Sequence, residues 1–427
     1  MHPLSAPSLA ALARRYLSVR NATADLARPL SAEDCTVQSM PDASPVKWHL
    51  AHTTWFFETF ILERMHGAAH RPFNPAFRVL FNSYYNAVGA KHPRPERGLL
   101  TRPTLNEVFA YRRHVDAAMG DLLTRPERLG AEMQGLVELG LHHEQQHQEL
   151  ILTDVKHMLS RNPLRPAYEP SWPLMKIAAR TPAWMRVAGG IREIGHAGDG
   201  FAFDNEEPRH QVLLRDFEMA AYPVSNGEYL QFMTDGGYTR PELWLSMGWD
   251  FIQANGVRAP MYWEDPDGEW HAFTLHGRVR VDSNTPVTHV SYFEADAFAR
   301  WAGARLPTEA EWEVFAVNAA EGAEEANFQE SRMLHPVPPR TARTAPRAKQ
   351  VFGDVWEWTS SSYSAYPGYA PPPGAVGEYN GKFMCNQYVL RGGSCATPRS
   401  HIRPSYRNFF PPDARWQFSG LRLARDA

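Results

Sequence analysis

The sequence predicts an α+β protein whose helices and strands are segregated, with a four-helix bundle first and a loop-rich mixed domain after it. Three observations carry that reading. From Pro3 to about Arg161 apolar residues recur at helical spacing with few breaks. Pro163, Pro166, Pro170 and Pro173 then punctuate the chain. Beyond them, short apolar runs such as Trp184–Val187 and Gln211–Leu214 alternate with turns rich in Gly, Asp, Asn and Pro. A chain of 427 residues exceeds what one hydrophobic core supports. The expected division is a bundle at residues 1–165, a linker at 166–180 and a second domain at 181–427.

The helices follow in order. Leu9, Leu12, Tyr16 and Val19 give a first amphipathic helix. Ser44 followed by Pro45 reads as a helix start, with Ser44 as N-cap and Pro45 at the first helical position. The segment 46–64 then carries His49, His52, Trp55, Phe56 and Phe60. Residues 72–98 hold several turn formers and read as irregular. Thr104 caps a third helix running to Leu123, and 127–161 form a fourth. In the second half only 225–234 and 292–302 read as helices, and 336–348 reads as a mobile loop.

Composition narrows the function. A formal net charge of −3 leaves no electrostatic footprint for nucleic acid or an anionic membrane, and no apolar run reaches the length of a membrane span. Three scattered cysteines and no signal-peptide pattern point to a reduced, cytoplasmic protein, a monomer or homodimer that acts on small molecules.

The chemistry concentrates in Leu141-His142-His143-Glu144-Gln145-Gln146-His147-Gln148-Glu149-Leu150. In a helix His143 and His147 stand one turn apart on one face and can close on a metal ion if a third ligand arrives. An isolated pair of this kind is more often structural than ligating. Here the segment 46–64 offers His49 or His52 as the third nitrogen, and the residues alone leave that choice open. His142 competes with His143 but has no partner one turn later. His143-Glu144-x-x-His147 also matches the short zinc-protease motif, with Glu144 as base, which makes zinc hydrolysis the rival chemistry. Three neutral imidazoles would instead leave positions on iron for substrates and dioxygen, whereas zinc has no redox chemistry. Tyr84 and Tyr85 read as ordinary aromatics or as phenols able to deliver a proton. Arg94 and Arg97 read as a solvated face or as a carboxylate clamp.

Four stretches of the second half occur as an ordered set: Pro223–Tyr229, Arg305–Glu313, Gly353–Trp358 and Arg391–Ser394. Together they resemble the formylglycine-generating-enzyme-like domain, a variant of the C-type lectin fold, with Gly420–Arg425 as its closing strand. Cys385 and Cys395 do not follow the close pair that binds copper in those enzymes, so they read as thiols and this domain as a substrate wall. A bundle bearing His52 and His143-x-x-x-His147-x-Glu149, fused to that domain, resembles the ergothioneine-biosynthesis sulfoxide synthases. The resemblance implies a DinB-like bundle and Fe(II) held by His52, His143 and His147. It implies dioxygen as co-substrate and the joining of a sulfur donor to C2 of the hercynine imidazole. It further implies that Gln146 meets that imidazole, that Asn408 with Phe409 and Phe410 holds the betaine end, and that Tyr85, supported by Tyr84, supplies the active phenol. Tyr84-Tyr85 and Asn408-Phe409-Phe410 are most similar to the subgroup that uses free cysteine, to which Arg94 and Arg97 would offer a carboxylate site. The selenoneine synthases, which take a selenosugar, are closely similar. Under this resemblance Glu144 is left behind the ligands or at the surface.

Overall fold

The computed structural model describes residues 9–125, 129–170, 182–319, 326–339 and 348–427. The chain divides into two compact units. One comprises Met1–Pro163 with Gly198–Phe203 and Pro371–Tyr379, and the other Leu164–Ala197, Asp204–Ala370 and Asn380–Ala427. Two short stretches of the later sequence therefore belong to the helical unit.

The helical unit is built from α1 (Leu9–Ala27), α2 (Val46–Phe57), α3 (Leu105–Leu123) and α4 (Ala131–Ser160). On α1, Leu12, Tyr16, Val19, Thr23 and Leu26 form one buried stripe. On α2 every residue is buried, because α1, α3 and α4 all pack against it. A helix enclosed on all sides has no solvated face, so its polar residues need protein partners or a ligand. Thr104 and Glu107 form a reciprocal capping box at the start of α3. Gly140 lets α4 approach α2 closely, since a Cβ there would lie 2.7 Å from Phe57 Cε1 and 2.9 Å from Phe56 Cε1.

Two local expectations need correction. Pro45, not Ser44, is the N-cap of α2, and no side chain caps it. The Ser44 hydroxyl instead accepts from Arg97 Nη1 at 2.9 Å, and its N–H donates to Asp154 Oδ2 at 2.8 Å. The helix expected over 46–64 is also not uniform. After Phe57 it widens into a π-helical turn, Glu58–Leu62, before ending as Glu63–His66. The irregular stretch 72–98 contains one helical turn, Phe77–Leu80, and the 3₁₀ segment Arg94–Leu99. Of the fourth helix's expected start, Glu127 lies outside the described residues, as do most of the expected linker and the centre of the expected loop 336–348.

Among the described residues the second unit holds twelve short strands in four sheets. β1 (Trp184–Val187), β4 (Phe217–Ala220) and β12 (Ala424–Asp426) form one, ordered β1-β4-β12. β2 (Gly190–Ile194) pairs with β3 (His210–Leu214), and β5 (Trp263–Glu264), β6 (His271–Thr274) and β7 (Gly277–Arg280) form a meander. The fourth sheet is ordered β10-β9-β8-β11, from β8 (Trp356–Ser362), β9 (Tyr388–Arg391), β10 (Asn408–Phe410) and β11 (Ser419–Gly420). The helices α5 (Asn226–Thr234) and α7 (Tyr292–Trp301) begin at capping boxes made by Ser225 with Glu228 and Ser291 with Glu294.

Two more helices, α6 (Ser246–Asn255) and α8 (Glu309–Ala319), were not expected. On α6 only Gly248 and Ile252 are buried, too few to write a stripe. On α8 the buried face includes Glu309, Glu311 and Glu313, so no apolar period marks it. Those acids are ion-paired: Arg391 Nη2 is 2.9 Å from Glu313, and Arg407 grips both Glu309 oxygens at 2.9 Å. Arg422 likewise pairs with Glu357 at 2.7 Å, and Trp312 Nε1 donates to the same carboxylate at 2.6 Å. Arg305–Glu313, Gly353–Trp358, Arg391–Ser394 and Gly420–Arg425 thus supply charges that pair in the core, whereas the Glu228 of Pro223–Tyr229 closes a capping box.

Candidate metal centre

The all-round burial of α2 places His52 opposite His143 and His147 of α4. The three offer one nitrogen each within 4.8 Å of one another, and all three residues are buried. His52 Nε2 lies 3.2 Å from His143 Nε2. Among the described residues no carboxylate or thiolate completes a group with these nitrogens. Burial, reinforced for His52 and His147 by neighbouring imidazoles, holds the set neutral: His143 is pulled down to about 3, and His52 and His147 lie well below the usual histidine range.

The hydrogen bonds behind the rings fix where the lone pairs point. His52 Nδ1 lies 2.6 Å from the Phe81 carbonyl, an acceptor, so Nδ1 carries the proton and Nε2 the lone pair. His147 Nδ1 lies 2.8 Å from His49 Nδ1, and His49 Nε2 lies 3.0 Å from Asp154 Oδ2. Among the described residues, buried His143 Nδ1 has no hydrogen-bond partner. Neutral imidazoles with converging lone pairs suit a divalent transition metal, and an all-nitrogen set suits zinc, iron or copper better than magnesium or calcium. Of His49 and His52, the structure brings His52 into the cluster, and His49 stands behind His147.

Aromatic rings clamp these groups. His52 is sandwiched between Trp48, at 4.5 Å and 13°, and Trp55, at 5.5 Å and 16°. The Arg97 guanidinium lies 3.4 Å from the Trp48 ring centre on a buried side chain. Among the described residues Arg97 makes no ion pair, and its Nε has no hydrogen-bond partner. Burial, with Arg94 adding to it, pulls its pKa down to about 9, which leaves it charged at neutral pH. Arg94 is exposed and donates to the Asp42 carbonyl.

Tyr85 is buried against Trp55 and Phe60, and Tyr84 packs on Tyr85 with ring centres 4.9 Å apart. Burial raises both phenols, so both are protonated at neutral pH. Gln146, half-buried, precedes His147 on α4. Sequence reasoning missed Tyr379, whose ring lies 5.7 Å from His143, 5.9 Å from Tyr84 and stacked on Phe203 at 5.7 Å. Its neighbour Glu378 accepts from the Asn86 and Ala87 amides at 3.1 and 2.8 Å, which ties the segment down. No motif marks a tyrosine that sits in a Pro- and Gly-rich stretch, so no sequence signal was there to find.

Glu144 is neither a base beside the metal nor at the surface. It is fully buried, with its carboxylate oxygens 2.8 Å from Arg20 Nη1 and 2.9 Å from Arg112 Nη2. Burial pushes its carboxyl up, and the two guanidiniums more than offset this, leaving it at about 2. A carboxylate so engaged cannot take a proton from a metal-bound water, which removes the zinc-protease reading.

Asn408, Phe409 and Phe410 belong to the other unit. They form β10, paired with Leu390, Val389 and Tyr388 of β9, and Phe409 stacks on Tyr363 at 4.0 Å. Asn408 Oδ1 accepts from the Phe409 amide at 3.0 Å. Cys395 is buried and Cys385 exposed, and neither is in a disulfide.

Residues 15–151 match the model of the DinB superfamily, and residues 173–346 and 347–427 match the sulfatase-modifying factor enzyme 1-like domain. The sequence is 35% identical to a hercynine oxygenase of Mycolicibacterium thermoresistibile, over 100% of this chain and 97% of that one. It is 34% identical to a hercynine oxygenase of Mycobacterium tuberculosis, over 92% and 94%. A formylglycine-generating enzyme of Streptomyces coelicolor is 30% identical over 57% of this chain and 89% of its own.

Proposed function

The chain belongs to the hercynine oxygenase family, and from that premise we propose that His52, His143 and His147 hold Fe(II) for the oxidative coupling of hercynine to L-cysteine. In this reaction the imidazole C2–H and the thiol S–H are lost, a C–S bond and an S–O bond form, and the second oxygen atom of O2 leaves as water. The product is hercynylcysteine sulfoxide. The observation that carries the reading is the cluster of three buried, neutral imidazoles, with Glu144 locked away from it by Arg20 and Arg112.

Fe(II) in such a site would supply the one-electron chemistry that dioxygen needs. The remaining tasks fall to the chain's own groups. Trp48 and Trp55 hold the His52 ring from both faces and keep bulk water from it. Gln146 is assigned to the hercynine imidazole. Tyr84 and Tyr85 keep their protons at neutral pH and can release one at the reacting centre, and Tyr379 offers a third phenol at that end of the helical unit. Arg97 supports the choice of donor. A buried guanidinium that makes no ion pair among the described residues would suit the carboxylate of a thiol such as cysteine, which a neutral selenosugar lacks.

The test is to load the protein with Fe(II) anaerobically and admit air in the presence of hercynine and cysteine, γ-glutamylcysteine or a selenosugar, then weigh the products. The expected product is the cysteine adduct, with oxygen consumed. Stoichiometric zinc with oxygen-independent turnover would overturn the reading.

A further inference from the structure

We infer that Asp154 and His49 form a two-residue relay that selects the tautomer of His147 and thereby aims its Nε2 lone pair into the three-histidine cluster. The inference rests on the metal-site reading above. All three side chains are buried, so no water competes for their polar atoms. His49 Nδ1 and His147 Nδ1 face each other at 2.8 Å, a contact that holds only if one carries the proton and the other the lone pair. Between the two neutral tautomers, the choice is made at the far side of His49. There Nε2 lies 3.0 Å from Asp154 Oδ2, an acceptor that the Ser44 amide fixes by donating to it at 2.8 Å. A proton on His49 Nε2 bonds to that carboxylate, whereas a lone pair would face it. His49 Nδ1 is then an acceptor, His147 Nδ1 must donate to it, and the only lone pair left on His147 is on Nε2.

The three cluster histidines are therefore supported in three different ways. The Phe81 carbonyl holds His52, the relay holds His147, and among the described residues His143 Nδ1 has no partner. A backbone carbonyl cannot be mutated away, but the relay can. Its members also keep helical register: His49 lies one turn before His52 on α2, and Asp154 lies two turns after His147 on α4. His49 and Asp154 are thus positioning residues that act on the metal through His147.

Asp154→Leu tests the relay. Leucine gives His49 Nε2 no acceptor, so the proton is no longer held there and the preference of His147 for Nδ1–H is lost. The first readout is the His147 tautomer in metal-free, ¹⁵N-histidine-labelled protein, measured by long-range ¹H–¹⁵N NMR. The expected result is Nδ1–H in the unmodified chain and a mixture of Nδ1–H and Nε2–H in the variant. The second is the affinity of the metal-free protein for Fe(II) or Co(II), measured by chelator competition, with an expected loss of about 10- to 100-fold. Asp154→Glu, which keeps the carboxylate, should recover most of it. If Asp154→Leu does not fold, His49→Phe goes through the same two measurements, with the same loss of affinity expected. An unchanged tautomer with unchanged affinity overturns the relay. An unmodified chain that binds neither metal overturns the metal-site reading instead, and the tautomer result then judges the relay alone.

Discussion

Two buried polar clusters share α4, one residue apart in sequence, and they are opposite in kind. Around Glu144 the protein balances its own charges: Arg20 and Arg112 face Glu144, and Asp116 accepts from Arg20 Nε at 2.7 Å and from the Tyr16 hydroxyl at 2.7 Å. Around His143 it does not, because among the described residues three neutral rings gather with no acid among them and one buried nitrogen is left unpartnered. Burying polar atoms is costly unless they are paired, so a closed cluster reads as scaffold and an open one as a place for a ligand. Consecutive residues of a helix point about 100° apart, which lets one helix serve both purposes.

The sharpest way to break the contrast is Glu144→Ala. It takes the carboxylate from buried Arg112 and leaves Arg20 with Asp116 alone, and should cost about 3–5 kcal/mol, read from urea unfolding of the metal-free protein. His143→Gln should do the reverse. Iron binding is lost, while metal-free stability changes by no more than about 1 kcal/mol, because the ring's polar contact is with another neutral imidazole, His52. Arg97→Ala should raise KM for cysteine by about tenfold to a hundredfold, the value of one charged hydrogen bond, and leave KM for hercynine nearly unchanged in steady-state kinetics. The mildest effect is the pH dependence. The Glu144 carboxyl is held below its ordinary value of 4.5, at about 2, so its stabilising effect is complete above the ordinary value and fades as pH falls toward the lower one. Glu144→Gln should flatten that acid limb in unfolding measured across the same range.

Much of the molecule was legible from residue order. The four bundle helices, the cap at Thr104 and the pairing of His143 with His147 follow from periodicity and capping chemistry, which are local. What stayed hidden was set by distant partners. Ser44 looks like an N-cap until Arg97 claims its hydroxyl. Helix α8 is invisible to a hydrophobic period because its inward face holds three acids, and the arginines of Glu313 and Glu309 lie far along the chain, at Arg391 and Arg407. His49 and His52 are equivalent in sequence and differ only in what stands across from them. Tyr379 reaches the helical unit from more than two hundred residues beyond α4, and no local pattern encodes such a return.

Gly140 carries a last consequence. One turn before His143, its missing side chain is what allows the backbone of α4 to rest on the buried rings of Phe56 and Phe57. Closely packed aromatic rings do not yield, so one added methyl would move the helix itself. The spacing of α2 and α4 is also the spacing of His52 and His143, and cations differ in the ligand distances they accept. A single hydrogen atom at position 140 thus works as a gauge block, setting how near the two helices, and the imidazoles they carry, can stand.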